Sequence, residues 1–225
     1  MEIKLLSKLS RDYVEQLLSG IPFFKLVKQQ DAWQFELLLQ SSRVVTYSPG
    51  EVVLQRGESD QWLFFLLKGR LAVYVDDPLK GELVNYVTPG EVFGDLSQLM
   101  GKPRTATIIA ETSARESIVL ATDASIFGDI SSSRPITIQT KLAYYRNTVH
   151  NLRWKLEVYR SQHLQHPLAN KHRQVKLYTG VKDTLEELKA LYGQAQSLAS
   201  LLLEWNREFG VLSVESSAHQ DVYNI

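Results

Sequence analysis

Residues 91–107 have the sequence EVFGDLSQLMGKPRTAT, and this stretch decides how the rest of the chain is interpreted. The apolar residues before Gly94 predict the end of a strand, and the glycine lets the backbone turn sharply. Residues 95–100 are predicted to form a single helical turn, whose free N-terminal amides favour an anion. Arg104 follows a second turn, where its guanidinium could bind the same anion through two hydrogen bonds.

Two further side chains of this stretch suit a sugar phosphate. The carboxylate of Asp95 can accept hydrogen bonds from sugar hydroxyls, and Thr105 contributes another hydroxyl. One carboxylate, one arginine and a ring of amides on a β-barrel fit a small phosphorylated ribose. The alternative is that Arg104 pairs with Asp95 in a purely structural turn, because a buried arginine needs a partner in either case.

Short β-rich runs separated by glycine and proline turns surround this stretch, between residues 43 and 121. The predicted strands are residues 44–47, 52–54, 62–67, 71–75, 83–87, 105–110 and 117–121. Strands this short and closely spaced favour a barrel or sandwich over a sheet of βαβ units.

Helical patterns lie on both sides of the strands. Leucines recur at helical spacing within residues 1–41, and glycine and proline at 20–22 interrupt them. Beyond Pro135, apolar residues alternate at spacings of four and three: Ile138, Leu142, Tyr145, Val149, Leu152, Leu156 and Tyr159. This heptad seam predicts a long helix that packs on its twin in a homodimer, with packing against its own domain as the alternative.

A last helix is predicted from a capping box at residues 184–187 to the neighbourhood of Gly210. The fold class is therefore α+β: an antiparallel β-barrel or jelly roll flanked by N-terminal helices, a long helix and a C-terminal helical appendage. The predicted boundaries are 1–135 for the N-terminal helices and barrel, 136–166 for the dimerisation helix, and 167–225 for the appendage and tail.

Composition excludes several classes of protein. The chain of 225 residues has no cysteine, which excludes disulfides and zinc–thiolate sites. It has no apolar run of membrane-spanning length, so we expect a soluble cytoplasmic protein without membrane contact. No histidine precedes His150, and the chain lacks both a phosphate-binding P-loop and a Gly-x-Ser-x-Gly elbow. We therefore expect no enzyme, no metal and no cofactor.

The net charge of zero hides an asymmetry along the chain. Residues 136–176 hold eight basic and one acidic residue, whereas residues 177–225 hold three basic and seven acidic residues. This pattern predicts that the basic helix packs against the acidic helix that follows it. The alternative is that the basic segment attracts a phosphate-rich partner.

Residues 93–107 resemble the phosphate-binding cassette of the cyclic nucleotide-binding domain family: Phe-Gly-Glu, an apolar helical turn, then Pro-Arg-x-Ala-Ser/Thr. The similarity covers about residues 20–165, and Gly50, Gly57 and Gly69 occupy the family's turn positions. It implies a candidate ligand site made of Gly94, Asp95, Leu96, Ser97, Arg104, Thr105, Ala106 and Arg153.

The resemblance also implies a role for each part of this site. Arg104 would pair with the cyclic phosphate, with help from the amides of Leu96 and Ser97. Asp95 would take the ribose 2′-hydroxyl, and Thr105 would touch the phosphate or the purine edge. The long helix resembles the family's C-helix, and its alignment from Pro135 places Leu152 and Arg153 near the purine.

One departure from the family pattern concerns the ribose contact. Asp95 replaces the usual glutamate and is one methylene shorter, so it reaches the ribose only through water or a shifted turn. The sequence does not specify the base of the nucleotide, so the expected ligand is cyclic AMP or cyclic GMP.

The leading hypothesis is a non-enzymatic cyclic-nucleotide sensor that dimerises and signals through its C-terminal helix to a protein partner. A different class of function, a ligand-free barrel that serves as an interaction scaffold, is the alternative. A third hypothesis is an atypical transcription regulator. The acidic last helix and the lack of a recognisable winged helix-turn-helix argue against DNA binding.

Overall fold

The computed structural model describes residues 1–75 and 83–220 of the chain. Its strands are β1 (Glu2–Leu5), β2 (Ser42–Tyr47), β3 (Val52–Leu54), β4 (Trp62–Lys68), β5 (Leu71–Tyr74), β6 (Leu83–Val87), β7 (Val92–Phe93), β8 (Thr107–Ala110) and β9 (Ser117–Asp123). They form two antiparallel sheets, ordered β1-β2-β9-β4-β7 and β3-β8-β5-β6. The sheets share one apolar core, to which both contribute buried side chains, among them Phe64 and Leu71. The predicted antiparallel β-fold with flanking helices is confirmed.

The prediction that residues 1–41 are helical is wrong at its start, because residues 2–5 form β1. This strand pairs with β2 and places Ile3 opposite Val45. A single turn of helix is unstable on its own, whereas the edge of β2 satisfies the backbone groups of residues 2–5. Leu5 is exposed in this arrangement, so its place in the leucine pattern reflects no buried helical face.

The helices are α1 (Arg11–Leu18), α2 (Pro22–Gln30), α3 (Ala32–Gln40), α4 (Asp95–Met100), α5 (Ile138–Gln162) and α6 (Leu185–Gln220). The N-terminal helices pack on the five-stranded sheet through aromatic side chains. Phe65 of β4 stacks on Phe23 with ring centroids 6.0 Å apart and meets the edge of Phe24 at 5.0 Å. This aromatic core fixes α2 and the N-terminal part of α5 against the barrel.

The heptad seam of α5 is covered by α6 of the same chain, as the alternative of packing within its own domain predicts, and the homodimer stays a prediction. Ile138, Leu142, Tyr145, Val149, Leu152, Leu156 and Tyr159 all belong to one apolar cluster with α6. Tyr159 packs edge-on against Trp205 of α6 at 5.9 Å. A heptad seam requires only an apolar helical partner, and the helix that follows supplies it within the chain.

The charge asymmetry of the sequence predicts that the basic helix packs on the acidic helix that follows it. Ion pairs between the two segments agree with this prediction. Arg146 of α5 donates to Glu187 at 2.6 Å and to Asp183 at 2.9 Å. Lys171 lies 3.5 Å from Glu204 of α6. Arg146 and Lys171 of the basic segment are therefore paired with acidic residues of the same chain.

A second ionic cluster holds the linker between α5 and α6. Glu157 of α5 accepts hydrogen bonds from Arg173 at 2.7 Å and contacts Nε2 of His172 at 2.8 Å. Hydrogen bonds from Arg160 are the first cause of a lowered pKa for the Glu157 carboxyl, which falls from 4.5 to about 2. These contacts fix the 3-10 helix Lys171–Gln174 on the surface of α5.

The last helix begins as predicted but extends beyond its predicted end. The hydroxyl of Thr184 accepts from the amide of Glu187 at 3.2 Å, and the Glu187 carboxylate accepts from the amide of Asp183 at 2.6 Å. The helix continues past Gly210 to Gln220. Glycine inside a helix costs about 1 kcal/mol and need not end it.

Candidate functional site

The short helix α4 is bounded by two glycines in left-handed conformations. Gly94, with φ of 76°, precedes the helix and Gly101, with φ of 58°, follows it. Between them lies the single short helix that the sequence predicts, Asp95–Met100. The resulting geometry brings the first turn of α4 next to Arg104, ten residues later.

The guanidinium of Arg104 is buried and hydrogen-bonded at every nitrogen. Nη1 donates to the carbonyl of Gly94 at 2.5 Å and to Oγ of Ser97 at 2.7 Å. Nε donates to the carboxylate of Asp60 at 2.9 Å, and Nη2 donates to the same carboxylate and to the carbonyl of Trp62. Since a guanidinium carries five N–H groups, Arg104 is saturated by the protein.

The acid that pairs with Arg104 is Asp60, and the predicted structural alternative, a pair with Asp95, is wrong. The backbone explains the choice, since Arg104 and the turn before β4 exchange hydrogen bonds: Arg104 N to Glu58 O at 2.7 Å and Gly57 N to Arg104 O at 2.8 Å. Burial opposes ionisation of Asp60, but hydrogen bonds from Arg104 and from the Trp62 amide outweigh it and lower the pKa of this carboxyl.

Asp95 has a different environment, at the start of α4. Its side chain is buried, and desolvation raises the pKa of its carboxyl. The positive charge of Lys155 is the largest opposing influence, ahead of hydrogen bonds from the amides of Asp95 and Leu96 and the charge of Arg104. Lys155 of α5 lines the same cavity as Asp95.

One cavity is lined by seven of the eight residues of the predicted ligand site, all except Arg153. Its cassette wall consists of Gly94, Asp95, Leu96, Ser97, Arg104, Thr105 and Ala106. The barrel adds an apolar wall that includes Leu54, Val73, Val87 and Ile108. The cavity has a volume of about 80 Å³, whereas pockets that bury a small molecule measure about 300–1,000 Å³.

The predicted helix residues near the purine, Leu152 and Arg153, lie outside this cavity. Arg153 instead donates to the carbonyls of His172 at 3.1 Å and Val175 at 2.9 Å. The α5 residues at the cavity are Lys155 and Tyr159. An error of two residues in helical register rotates a side chain by about 200°, which is enough to move it across the helix.

Three features of the site have no local sequence signal. Asp60 is 44 residues from Arg104 in sequence and meets it only through the strand pairing of the barrel. Lys155 can be placed at the cavity only when the helical register of α5 is known. Leu202 and Asn206 of α6 line the cavity because α6 folds back over the barrel.

Gly94 is expected to tolerate no side chain. A Cβ atom there would lie 2.7 Å from Nη1 of Arg104 and 3.1 Å from the ring of Phe64, and the left-handed backbone adds about 1–2 kcal/mol for any other residue. We expect G94A to lower the free energy of unfolding by about 3 kcal/mol, since the backbone cost adds to the displacement of Arg104.

Gly101 supplies the matched control for this substitution. It has the same left-handed backbone, but nothing lies within 4 Å of the position its Cβ would take. G101A should therefore show only the backbone cost of about 1–2 kcal/mol in urea denaturation. Equal losses for the two variants would contradict the contact between Gly94 and Arg104.

Residues 44–133 match the sequence profile of the family described as "Cyclic nucleotide-binding domain". This match includes the cassette, Arg104 and its partner Asp60. This segment is therefore similar to a cyclic nucleotide-binding domain. Among residues 1–75 and 83–220, no group of three or more histidine, aspartate or glutamate side chains is arranged to hold a metal. No helix in the same residues combines the length and hydropathy of a membrane span.

Two relatives illustrate the similarity of the domain. A cGMP-dependent protein kinase of Eimeria tenella is 30% identical over 104 residues, which are 45% of this chain and 10% of the kinase. A cyclic nucleotide-gated potassium channel of Mesorhizobium japonicum is 28% identical over 120 residues, 53% of this chain and 30% of the channel. The chain thus spans a third or less of the length of these relatives.

One solved structure is matched over a larger share of its own length than the kinase and the channel are. The N-terminal domain of a transcriptional regulator from Streptomyces coelicolor is 26% identical, with a TM-score of 0.45. The similarity covers 62% of this chain and 94% of that domain.

Proposed function

We propose that this domain binds cyclic AMP or cyclic GMP in the cavity between α4, the barrel and α5, and that it acts as a regulatory module. The observation that supports this best is the placement of Arg104 beside the first turn of α4, at the wall of the cavity that most of the predicted ligand residues line. The family match gives the ligand class.

Each wall of the cavity suits one part of a cyclic nucleotide. An anionic phosphate would replace Ser97 Oγ and the Gly94 carbonyl as acceptors of Nη1, because charge-assisted hydrogen bonds are stronger than neutral ones. Asp60 holds the other two nitrogens and would keep the guanidinium in place. The ribose would lie near Asp95, and the base would lie against the apolar barrel wall and Tyr159.

We propose a regulatory role without catalysis, in the cytoplasm, with a further protein as the recipient of the signal. Because α6 covers the α5 seam in this conformation, the signal would pass through the helical layer, and a homodimer would form through another surface or after α6 moves. The basic residues Lys171 and Arg173 are engaged with Glu204 and Glu157, which gives no support to a DNA-reading role.

A ligand-free scaffold is the second candidate function, and one observation favours it. All five N–H groups of Arg104 already have protein acceptors, so the cassette is stable without a phosphate. In this case the barrel would serve only to present α5, α6 and the N-terminal helices to a partner.

Calorimetric titration with cyclic AMP and cyclic GMP distinguishes the two candidates. The proposed function predicts saturable binding of at least one of them, together with an increase in thermal stability as ligand concentration rises. Inorganic phosphate and the linear 5′-monophosphates serve as comparison ligands and should bind more weakly. The absence of heat and of thermal stabilisation, both for the native chain and for the variant with a loosened α6 described below, would establish the scaffold.

A further inference from the structure

The C-terminal helix α6 covers the mouth of the cavity. Leu202 and Asn206 form part of its wall together with Tyr159, whose hydroxyl lies 3.5 Å from Oδ1 of Asn206. Both α6 side chains are buried at this position. The volume that remains is about 80 Å³, too small for a nucleotide.

We propose that residues 198–208 of α6, the occluding segment, are a built-in competitor of the ligand: the docked segment and a cyclic nucleotide exclude one another. This inference rests on the proposed function, since it concerns the same cavity. It assigns α6 the opposite role to a lid, because a lid would be stabilised by the ligand, whereas the occluding segment would be displaced.

One buried anchor of the occluding segment, Trp205, does not line the cavity. Trp205 is 1% exposed, with its ring packed on His166 at 4.5 Å, His163 at 5.8 Å and Tyr159 at 5.9 Å. Burial of a tryptophan stabilises a helix strongly. Loosening Trp205 therefore weakens the segment without removing a residue of the ligand site.

The segment is also linked to the phosphate side of the cavity. Just before the segment, Gln196 donates from Nε2 to the carbonyl of Leu99 at 3.2 Å, which ties α6 to the end of α4. Leu99 and Leu96 belong to the apolar cluster that α6 shares with α5. A ligand that enlarges the cavity must therefore move α6, and movement of α6 changes the surface available to a partner.

Mutual exclusion has a quantitative consequence. If only the undocked fraction binds, the apparent dissociation constant equals the intrinsic one divided by that fraction. A substitution that weakens docking therefore tightens binding. Couplings between such sites are commonly 5–150-fold, and we expect a change of about tenfold for a partial loss of the Trp205 contacts.

The first test compares two aromatic-to-leucine variants of the full chain. W205L removes part of the packing of the occluding segment, and F35L removes an equally buried ring, 1% exposed, from the core under the N-terminal helices. We expect W205L to bind cyclic AMP or cyclic GMP about tenfold more tightly than the native chain, and F35L to bind with unchanged affinity. Unchanged or weaker binding by W205L would overturn the inference.

The second test measures hydrogen exchange of the native chain with and without saturating nucleotide. We expect faster exchange of the amides in residues 198–208 on ligand binding, and unchanged exchange in α2. Slower exchange in this segment would identify it as a lid and overturn the inference while leaving the proposed function intact. Failure of both nucleotides to bind the native chain and W205L would overturn the proposed function itself.

Discussion

Replacement of Arg104 by methionine is expected to lower the free energy of unfolding by about 3 kcal/mol and to abolish nucleotide binding. Removal of one partner of a buried ion pair costs about 3–5 kcal/mol, because the other charge is left without compensation. The lower end of this range applies, since 29% of the Asp60 side chain is exposed and keeps contact with water.

A double-mutant cycle with Asp60 separates the ion pair from the other contacts of Arg104. We expect R104M and D60N each to be destabilising, and the double variant to lose less stability than the sum of the two, because the second substitution removes a charge that the first had left unpaired. Urea denaturation provides the four free energies. Additive losses would show that the pair contributes little and that the carbonyl and Ser97 contacts hold Arg104.

The conservative variant R104K tests the ligand role separately from charge. Lysine keeps the positive charge but lacks the planar fork that binds a carboxylate and a phosphate at once. We expect R104K to retain part of the stability and to bind cyclic nucleotide about a hundredfold more weakly, as is usual when a charged, hydrogen-bonded contact is lost. Native affinity in R104K would contradict the placement of the phosphate at this side chain.

The features that the sequence predicts well are those that depend on neighbouring residues. The helical turn between Gly94 and Gly101 has the predicted bounds because its two glycines and its apolar residues act locally. The strands were predicted to within two residues at most ends, since turn residues delimit each of them. The capping box at Thr184 likewise depends on residues within one turn.

The features that were wrong or missed depend on which surfaces meet. The structural alternative for Arg104 named Asp95, the acid of the same sequence stretch, whereas the barrel brings Asp60 to Arg104 from a distant turn. The seam of α5 specifies an apolar helical partner, and sequence periodicity does not distinguish a second chain from α6. The charge asymmetry did carry that information: a basic helix followed by an acidic one favours pairing within the chain, as Arg146 and Glu187 demonstrate.

The substitution with the largest expected effect on the helical layer is L156A. Leu156 is completely buried in the cluster between α5 and α6, and truncation of a buried leucine to alanine costs about 2–5 kcal/mol. We expect a loss of about 3 kcal/mol. The exposed residue Trp154 of the same helix, 64% accessible, is the control, and W154A should change stability little.

The concentration dependence of unfolding then decides whether the seam is intramolecular. Since α6 of the same chain covers Leu156, the unfolding midpoint of the native protein and of L156A should stay constant over a roughly hundredfold range of protein concentration. An obligate dimer would instead become more stable with concentration, because association stabilises only the folded state. A rising midpoint that L156A abolishes and W154A preserves would show that a second chain occupies the seam and that α6 packs elsewhere in solution.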